Sequence, residues 1–277
     1  VYDSKKLRKK YNLEEGKANP LDYGYNYKDV AYKSGKLNLY GWLIESKNAN
    51  KTMIICHGRG VNRLCSLQYL QLLKDANLDK DYNIFIPDFR NSGASDEART
   101  KLGYNFAQDI LHTMEMLKDK YGLNNFTLYG FSQGAMGAAI VSKLHVDSLR
   151  KKGLKIDKLI LDSPISNVKK RIKQDAKKRK VPKFIVSIIT RIFNFRVGNH
   201  LEKLRLSYLL KRVPTLILQT KNDKATTYGM LMEEYNKIAQ NSNVQLKMFE
   251  KGAHIRIYAE PEYKEEYTKI VADFLRS

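Results

Sequence analysis

Hydrophobic and polar residues follow two patterns along this chain: short apolar runs, and longer stretches with apolar side chains three or four positions apart. The short runs predict buried strands, and the longer stretches predict amphipathic helices. After an initial hairpin the two patterns alternate to the end of the chain. That order is typical of an α/β fold with a mostly parallel central sheet and helices on both faces.

The predicted strands span residues 27–32, 37–44, 52–56, 82–86, 125–131, 158–161, 215–219 and 244–249. A hairpin turn containing Gly35 joins the first two. The predicted helices span residues 64–73, 106–117, 184–195, 230–239 and 262–275, and a further helical run follows Ser132.

The length of 277 residues favours one domain with an insertion over two domains. Residues 1–24 are polar and basic and are predicted to form a lead-in arm. The domain is predicted over residues 25–277, with the insertion at about 165–213. Cys56 and Cys65 are too few for a disulfide framework and lack metal-site spacing, and Cys56 is predicted to be a core residue.

The first candidate for chemistry is Ser132, in the segment Gly130-Phe-Ser-Gln-Gly134 between a predicted strand and a predicted helix. This G-x-S-x-G spacing suits a strained turn that exposes a nucleophilic hydroxyl. Side chains at Gly130 or Gly134 are expected to collide with neighbouring backbone. Gly and Ser are also common in ordinary turns, so the motif needs partners elsewhere in the chain.

A nucleophilic serine needs a base and a group that orients the base. His254 follows the last predicted strand and is the candidate base. Asp223 follows the strand at 215–219 and is the candidate orienting carboxylate. Asp162 is a rival for that role, with a structural turn or a helix cap as its simpler interpretation. The order Ser132, Asp223, His254 differs from that of the chymotrypsin and subtilisin folds.

Two N–H groups should bind the oxyanion of a reacting carbonyl. The main chain of Gln133, directly after Ser132, is the first candidate. The main chain of Arg59 is the second, because it lies in the glycine-containing loop His57-Gly-Arg-Gly60 after the strand at 52–56. His57 is predicted to be a loop-packing residue and not a base.

Together these motifs make the chain resemble the α/β-hydrolase superfamily over about residues 27–275, and especially its serine aminopeptidase-like and monoglyceride-lipase-like branch. The segment Asp88-Phe-Arg-Asn-Ser-Gly-Ala-Ser95 is similar to the D-x-R-G-x-G-x-S turn of such proteins, with Asn91 in place of a glycine. Around Asp223 the chain departs further from that pattern, at Thr220 and at Lys224-Ala-Thr226. The resemblance implies an α/β-hydrolase fold with a helical cap insertion.

The predicted insertion begins with a basic segment and continues with an apolar helix. Phe184, Ile188 and Ile192 form one ladder of that helix, and Ile185, Ile189 and Phe193 form a second beside it. This broad apolar face is predicted to pack over the catalytic domain. The alternative is that it lines an acyl pocket and touches lipid, so that Phe184, Ile188, Ile192 and Phe131 contact substrate.

The formal net charge of +21 favours anionic partners, although a lysine-rich solvated surface is the simpler interpretation. Basic residues beside an apolar helix suit an anionic membrane surface. Nucleic acid is not expected, because the basic run lacks interleaved aromatic residues. The start at Val1 and the charge favour a membrane-associated protein, at the cell surface through an N-terminal anchor that precedes Val1, with a cytoplasmic enzyme as the alternative.

The sequence predicts a serine hydrolase that cleaves carboxylic esters of short to medium acyl chains, with lipid-derived esters as one option, without metal or cofactor. It belongs by this prediction to the carboxylesterase and lipase-like class. Amidase, peptidase and thioesterase activities use the same triad and stay open. So do a membrane- or polymer-binding protein with a vestigial site and, less favoured, a nucleic-acid binder.

Overall fold

An eight-stranded sheet forms the centre of the protein, which a computed structural model describes over residues 16–277. In chain order the strands are β1 (Lys28–Ser34), β2 (Leu37–Ile44), β3 (Lys51–Cys56), β4 (Tyr82–Asp88), β5 (Asn125–Phe131), β6 (Lys155–Asp162), β7 (Thr215–Thr220) and β8 (Val244–Phe249). Their spatial order is β1-β2-β4-β3-β5-β6-β7-β8. The β1–β2 and β2–β4 pairs are antiparallel, and the remaining pairs are parallel. The predicted mostly parallel sheet is confirmed.

The α-helices are α1 (Gln68–Asp75), α2 (Tyr104–Tyr121), α3 (Gln133–Leu144), α4 (Val146–Lys151), α5 (Val168–Lys178), α6 (Lys183–Arg196), α7 (Leu206–Leu209), α8 (Tyr228–Tyr235) and α9 (Lys264–Arg276). Short 3₁₀ helices lie at Pro20–Tyr23, Arg63–Ser66, Lys101–Gly103, Leu201–Lys203 and Pro261–Tyr263. Among the described residues, no helix is long and apolar enough to cross a lipid bilayer.

Helices cover both faces of the sheet, because successive strand residues point to opposite sides. In β3, Ile54 and Cys56 pack in the core under α2 and α3. Met53 and Ile55 pack in the other core, which α1 and α9 cover. Both faces are therefore apolar along the central strands, as expected for a parallel sheet buried on two sides. The prediction that Cys56 is a core residue is confirmed.

One predicted helix is divided in two. The sequence predicts a continuous helix over 64–73, but a 3₁₀ turn at Arg63–Ser66 precedes α1. The Asn62 side chain accepts the Leu64 N–H at 3.1 Å, and the Asp88 carboxylate accepts the Arg63 N–H at 2.8 Å. These side-chain acceptors hold the tighter turn in place.

The lead-in arm predicted for residues 1–24 lies mostly outside the described residues. Its last part forms the 3₁₀ helix Pro20–Tyr23, which begins with a capping box at Asn19 and Asp22. Tyr23 is buried in the core beside α1. This part of the arm therefore packs on the domain.

The segment between β6 and β7 contains α5, α6 and α7, within the range predicted for the cap. Helix α5 buries Val168, Ile172 and Ala176. Helix α6 has no buried residue. The prediction that its broad apolar face packs over the catalytic domain is wrong: Phe184, Ile188 and Ile192 are 68%, 52% and 47% exposed.

The side of α6 that faces the protein carries half-buried residues, Val186, Thr190 and Phe193. Of these, Phe193 packs against the main core. Because apolar residues occur on several sides of this helix, the sequence pattern identified the helix but not the side that packs.

Candidate active site

Ser132 lies at the turn between β5 and α3. Its φ and ψ angles are 52° and −111°, in a region that non-glycine residues rarely adopt. The Ser132 N–H donates to the Asp162 carbonyl at 3.0 Å, and the Ser132 carbonyl accepts the Met136 N–H at 3.1 Å. The neighbouring strand and the following helix therefore hold the strained turn, and its side chain stays half-buried.

The two glycines beside Ser132 are required by close backbone packing. A Cβ atom at Gly130 would lie 2.5 Å from the Ala135 Cα. A Cβ atom at Gly134 would lie 2.1 Å from the Cys56 carbonyl oxygen. The predicted steric need for both glycines is confirmed, and the contact at Cys56 brings the start of α3 against the end of β3.

The structure brings the three predicted catalytic side chains together. His254 Nε2 lies 2.8 Å from Ser132 Oγ. His254 Nδ1 lies 2.7 Å from the Asp223 carboxylate. Each residue follows a different strand, and the carboxyl ends of parallel strands meet at one edge of the sheet. Residues that are far apart in sequence therefore meet at this edge. A continuous series of hydrogen bonds runs from the Ser132 hydroxyl through His254 to the Asp223 carboxylate.

Asp223 is buried and held by its own loop. Its Oδ1 accepts the N–H groups of Ala225 and Thr226 at 2.7 and 2.9 Å, and its Oδ2 accepts the Thr226 hydroxyl at 2.7 Å. Burial opposes ionisation, but the hydrogen bonds from His254 and Thr226 outweigh it and hold the pKa of Asp223 below its ordinary value. Asp223 is therefore an anion at neutral pH.

Asp162, the rival orienting residue, makes different contacts. Its carboxylate accepts the hydroxyls of Ser163 at 2.8 Å and Tyr267 at 2.7 Å. It is fully buried, and this burial raises its pKa to about 6. The imidazole of His254 bonds to Asp223 instead. The geometry thus favours Asp223 in the orienting role and gives Asp162 a structural one.

Sequence reasoning missed Ser163, which connects this buried carboxylate to the histidine loop. The Ser163 hydroxyl donates to Asp162 and accepts the Ile255 N–H at 3.2 Å. Ser163 and Ile255 both have positive φ angles, 51° and 54°. A serine directly after a strand that ends in aspartate was the available signal, but its partner at Ile255 is distant in sequence.

Thr226, in the segment Lys224-Ala-Thr226 that departs from the family pattern, contributes to the site. Besides its bonds to Asp223, its hydroxyl lies 3.3 Å from His254 Nδ1. Thr220, the other departure from the family pattern, donates its hydroxyl to the Gly252 carbonyl at 3.2 Å. Both substitutions therefore connect the aspartate loop to the histidine loop.

The loop after β3 approaches the nucleophile at Gly58. A Cβ atom there would lie 3.3 Å from Ser132 Cβ. His57 is buried, with Nδ1 2.7 Å from the Gly58 carbonyl and Nε2 accepting the Phe89 N–H at 2.9 Å. Burial lowers the pKa of His57, so the ring is neutral and donates through Nδ1. The prediction that His57 packs the loop is confirmed.

The two predicted oxyanion residues border one cleft. Gln133 is the first residue of α3, where backbone N–H groups have no partner within the helix. Arg59 lies in the loop after β3 and lines the same cleft as Gln133. Their roles as main-chain donors stay a prediction.

Phe131 and the three cap residues do not lie where the sequence predicted a substrate wall. The Phe131 ring is 4% exposed and packs against Tyr69 and Tyr129, with ring centroids 4.4 and 4.8 Å apart. It belongs to the aromatic core. Phe184, Ile188 and Ile192 point to solvent, whereas Phe193 of the same helix lines the cleft beside Gln133.

The turn after β4 is held by hydrogen bonds to the Asp88 carboxylate. The Asp88 carboxylate accepts the Arg63 and Ala94 N–H groups, at 2.8 and 3.1 Å. Asn91 has a φ angle of 62°, which asparagine tolerates better than most residues other than glycine. The replacement of a family glycine by Asn91 is therefore compatible with the turn.

In the described part of the chain, no group of three His, Cys, Asp or Glu residues is arranged to hold a metal.

Comparisons with known proteins agree with this architecture. Residues 51–180 match the family model for the alpha/beta hydrolase fold. Uncharacterized protein YqkD of Bacillus subtilis (strain 168) is 24% identical over 261 residues, which cover 92% of this chain and 77% of YqkD.

Among solved structures, the esterase Pf2001 of Pyrococcus furiosus is 24% identical with a TM-score of 0.70, covering 94% of each chain. An alpha-beta hydrolase from Vibrio vulnificus is 18% identical with a TM-score of 0.65, covering 96% of this chain and 86% of the other. Given its sheet order, its nucleophile turn and these matches, the chain has the alpha/beta-hydrolase fold.

Proposed function

We propose that this protein is a serine hydrolase that cleaves carboxylic esters of short to medium acyl chains through an acyl-enzyme. The observation that carries the proposal is the unbroken hydrogen-bonded series from Ser132 through His254 to Asp223. The nucleophile of that series lies on a strained turn at the start of a helix. A nucleophile, a base and an orienting anion in contact are what acyl transfer requires.

In the proposed reaction the Ser132 hydroxyl attacks the ester carbonyl while His254 Nε2 accepts its proton. Asp223 keeps the other ring nitrogen protonated and stabilises the imidazolium that forms. His254 then donates the proton to the departing alcohol, which leaves an acyl-enzyme. Water, deprotonated by the same imidazole, attacks the acyl group and releases the acid and Ser132.

The developing oxyanion is assigned to the main-chain N–H groups of Gln133 and Arg59. The first belongs to the N-terminal turn of α3, whose macrodipole favours negative charge. The second belongs to the loop that approaches Ser132 at Gly58. The proposed preference for esters over amides is supported by the name of one structural relative, an esterase of the same fold.

A fluorophosphonate probe that reacts with activated serines tests the enzyme proposal. The wild type should be labelled, Ser132→Ala should not, and Ser148→Ala on α4 should be labelled like the wild type. A p-nitrophenyl ester series from acetate to decanoate should then show the highest kcat/KM at short or medium chains. An unlabelled wild type, or equal labelling of Ser132→Ala, would support a binding protein with a vestigial site instead.

We also propose that α6 rests on an anionic membrane surface. Its exposed apolar residues include Phe184 at 68% and Phe195 at 78%, and they have no partner among residues 16–277 that buries them. Exposed cations of the same insertion flank them at Lys173, Lys177, Lys178, Arg179, Lys180, Lys183 and Arg191. An apolar helical face with flanking cations suits the boundary between headgroups and acyl chains of an anionic bilayer.

Flotation with phosphatidylcholine vesicles, with and without phosphatidylglycerol, tests the membrane proposal. The wild type should float with the anionic vesicles, and Phe184→Ser with Ile188→Ser should reduce the bound fraction roughly tenfold because two apolar side chains no longer enter the bilayer. Leu21→Ser removes an equally exposed apolar residue elsewhere and should bind like the wild type. Binding that is independent of lipid charge or of the α6 variant would contradict the proposal.

A further inference from the structure

A cleft of about 580 Å³ opens beside the start of α3 and is lined by cations. Arg59, Arg99 and Lys101 line it, with Glu97 as the acidic residue among its walls. Within residues 16–277, no salt bridge joins any of these three cations to a carboxylate. The cleft therefore has an excess of positive charge that the described protein does not neutralise.

This cleft reaches the residue that follows the nucleophile in sequence. Gln133, the residue after Ser132, forms part of its wall, and Phe193 of α6 forms another part.

The turn that carries Lys101 packs closely against the start of α3. Gly103, with a φ angle of 94°, lies so close that a Cβ atom there would be 2.7 Å from the Gln133 carbonyl oxygen. Lys101 and Leu102 adopt φ angles of 47° and 53°, a conformation that residues with side chains rarely adopt. Backbone strain of this kind is common at functional sites. Here the strained turn lies against the first residue of α3 and carries Lys101 in the wall of the cleft.

Lys101 lies in a positively charged environment. Lys101 Nζ donates to the Arg196 carbonyl at 2.7 Å. Partial burial lowers the pKa of Lys101, and the nearby charges of Arg90, Arg196 and Arg99 lower it further. Arg90 is paired with the Asp109 carboxylate, but no salt bridge of the described residues involves Arg99, Arg196 or Lys101. Binding of an anion would therefore relieve the repulsion among these three cations.

We propose that this cleft binds a negatively charged group of the substrate, a carboxylate or a phosphate, so that the preferred esters are anionic. The inference rests on the proposed ester hydrolysis and specifies its substrate class. Arg99 and Lys101 would hold the anion by charge-assisted hydrogen bonds while the ester carbonyl lies at Ser132. The N-terminus of α3 adds positive potential on the same side.

Matched ester pairs that differ by one anionic group test this inference. The mono-p-nitrophenyl ester of glutarate is compared with p-nitrophenyl pentanoate, and dihexanoyl phosphatidate with dihexanoylglycerol below their aggregation concentrations. The first pair reports a free carboxylate and the second a lipid phosphate. In the wild type, kcat/KM should be higher for the anionic member of at least one pair, and added salt should reduce the ratio.

Arg99→Gln and Lys101→Gln should each lower the anionic-to-neutral ratio, and the double variant should lower it roughly tenfold or more. The double variant Lys36→Gln with Lys47→Gln removes the same charge from exposed positions elsewhere and should keep the wild-type ratio. Arg99 is exposed, so its variant tests the cleft even if Lys101→Gln disturbs the turn.

Hydrolysis of the neutral esters without preference for either anionic partner would overturn this inference and leave the proposed function intact. Equal effects of the cleft and control variants would overturn it as well. Failure to hydrolyse any of the four esters, together with no labelling of Ser132, would overturn both proposals.

Discussion

Two buried aspartates close to one histidine differ in the hydrogen bonds that they receive. Asp223 accepts two backbone N–H groups, a hydroxyl and the imidazole, and these donors favour its anionic form. Asp162 accepts two hydroxyls in a fully buried position, where burial dominates and raises its pKa. The proposed roles of the two residues follow from this contrast.

Asp223→Asn should therefore reduce kcat for a p-nitrophenyl ester on the order of a thousandfold or more, because the amide no longer selects the required tautomer of His254. Asp162→Asn should retain turnover, since within residues 16–277 the hydrogen bonds of its carboxylate reach the histidine loop through Ser163 and not through the imidazole. Steady-state kinetics on both variants, with circular dichroism as a folding control, checks this prediction. Loss of turnover in Asp162→Asn with retention in Asp223→Asn would reverse the assignment.

Among the elements, helix α3 makes a very close backbone contact with the end of β3. Its Gly134 packs against the end of β3, whereas Gly229 of α8 has open space where a Cβ atom would lie. The two residues are both helical glycines, so they form a matched pair. They differ only in what surrounds them.

Gly134→Ala should destabilise the protein by more than about 2 kcal/mol or displace the nucleophile turn, because backbone oxygens of Cys56 and His57 occupy the space of the new methyl group. Gly229→Ala should be neutral or stabilising by up to about 1 kcal/mol, through reduced freedom of the unfolded chain. Urea denaturation and probe labelling measure both effects. Equal stability of the two variants would contradict the steric argument.

At the scale of the whole molecule, Asp162 makes folding stability depend on pH. Its folded pKa of about 6 lies above the value of about 3.9 expected in the unfolded chain. Between these values the folded state binds more protons than the unfolded state, so Asp162 lowers stability as pH rises through this window. Asp223, with a lowered pKa, acts oppositely, and its contribution is lost as pH falls below about 4.

The free energy of unfolding of Asp162→Asn, relative to the wild type, should therefore increase between pH 4 and pH 6 and stay constant above this range. The expected change is about 2 to 3 kcal/mol, from roughly two pKa units at about 1.4 kcal/mol each. Urea titrations of both proteins at several pH values measure it. The lost bonds to Ser163 and Tyr267 shift the difference equally at every pH, and a flat difference would show that Asp162 is not the titrating group.

Much of the fold could be predicted because local patterns carry it. Strands β5 and β8 match their predicted bounds at 125–131 and 244–249, since each is an apolar run bounded by polar or turn residues. The hairpin turn at Gly35 was also predictable, because its φ angle of 60° favours glycine. The bounds of α8 were not: the predicted helix extended to residue 239, but α8 ends at Tyr235.

Residues far apart in sequence were harder to place. The bond from Ile255 to Ser163 and the bond from Tyr267 to Asp162 connect segments that no local pattern relates. The apolar face of α6 shows the same limit. Its spacing predicts a helix, but only the packing of the insertion decides that Phe193 faces the cleft and Phe184 faces solvent.

The sequence alone determined an α/β chain with a serine turn between two glycines, and it identified Asp223 and His254 as the partners of Ser132. It could do so because strand, turn and helix are local structures with local signals. The tertiary structure decided which charges and apolar faces surround that serine, since those depend on how distant segments pack. The cationic cleft beside Gln133 and the exposed face of α6 belong to this second group, and they carry the proposals about substrate and membrane.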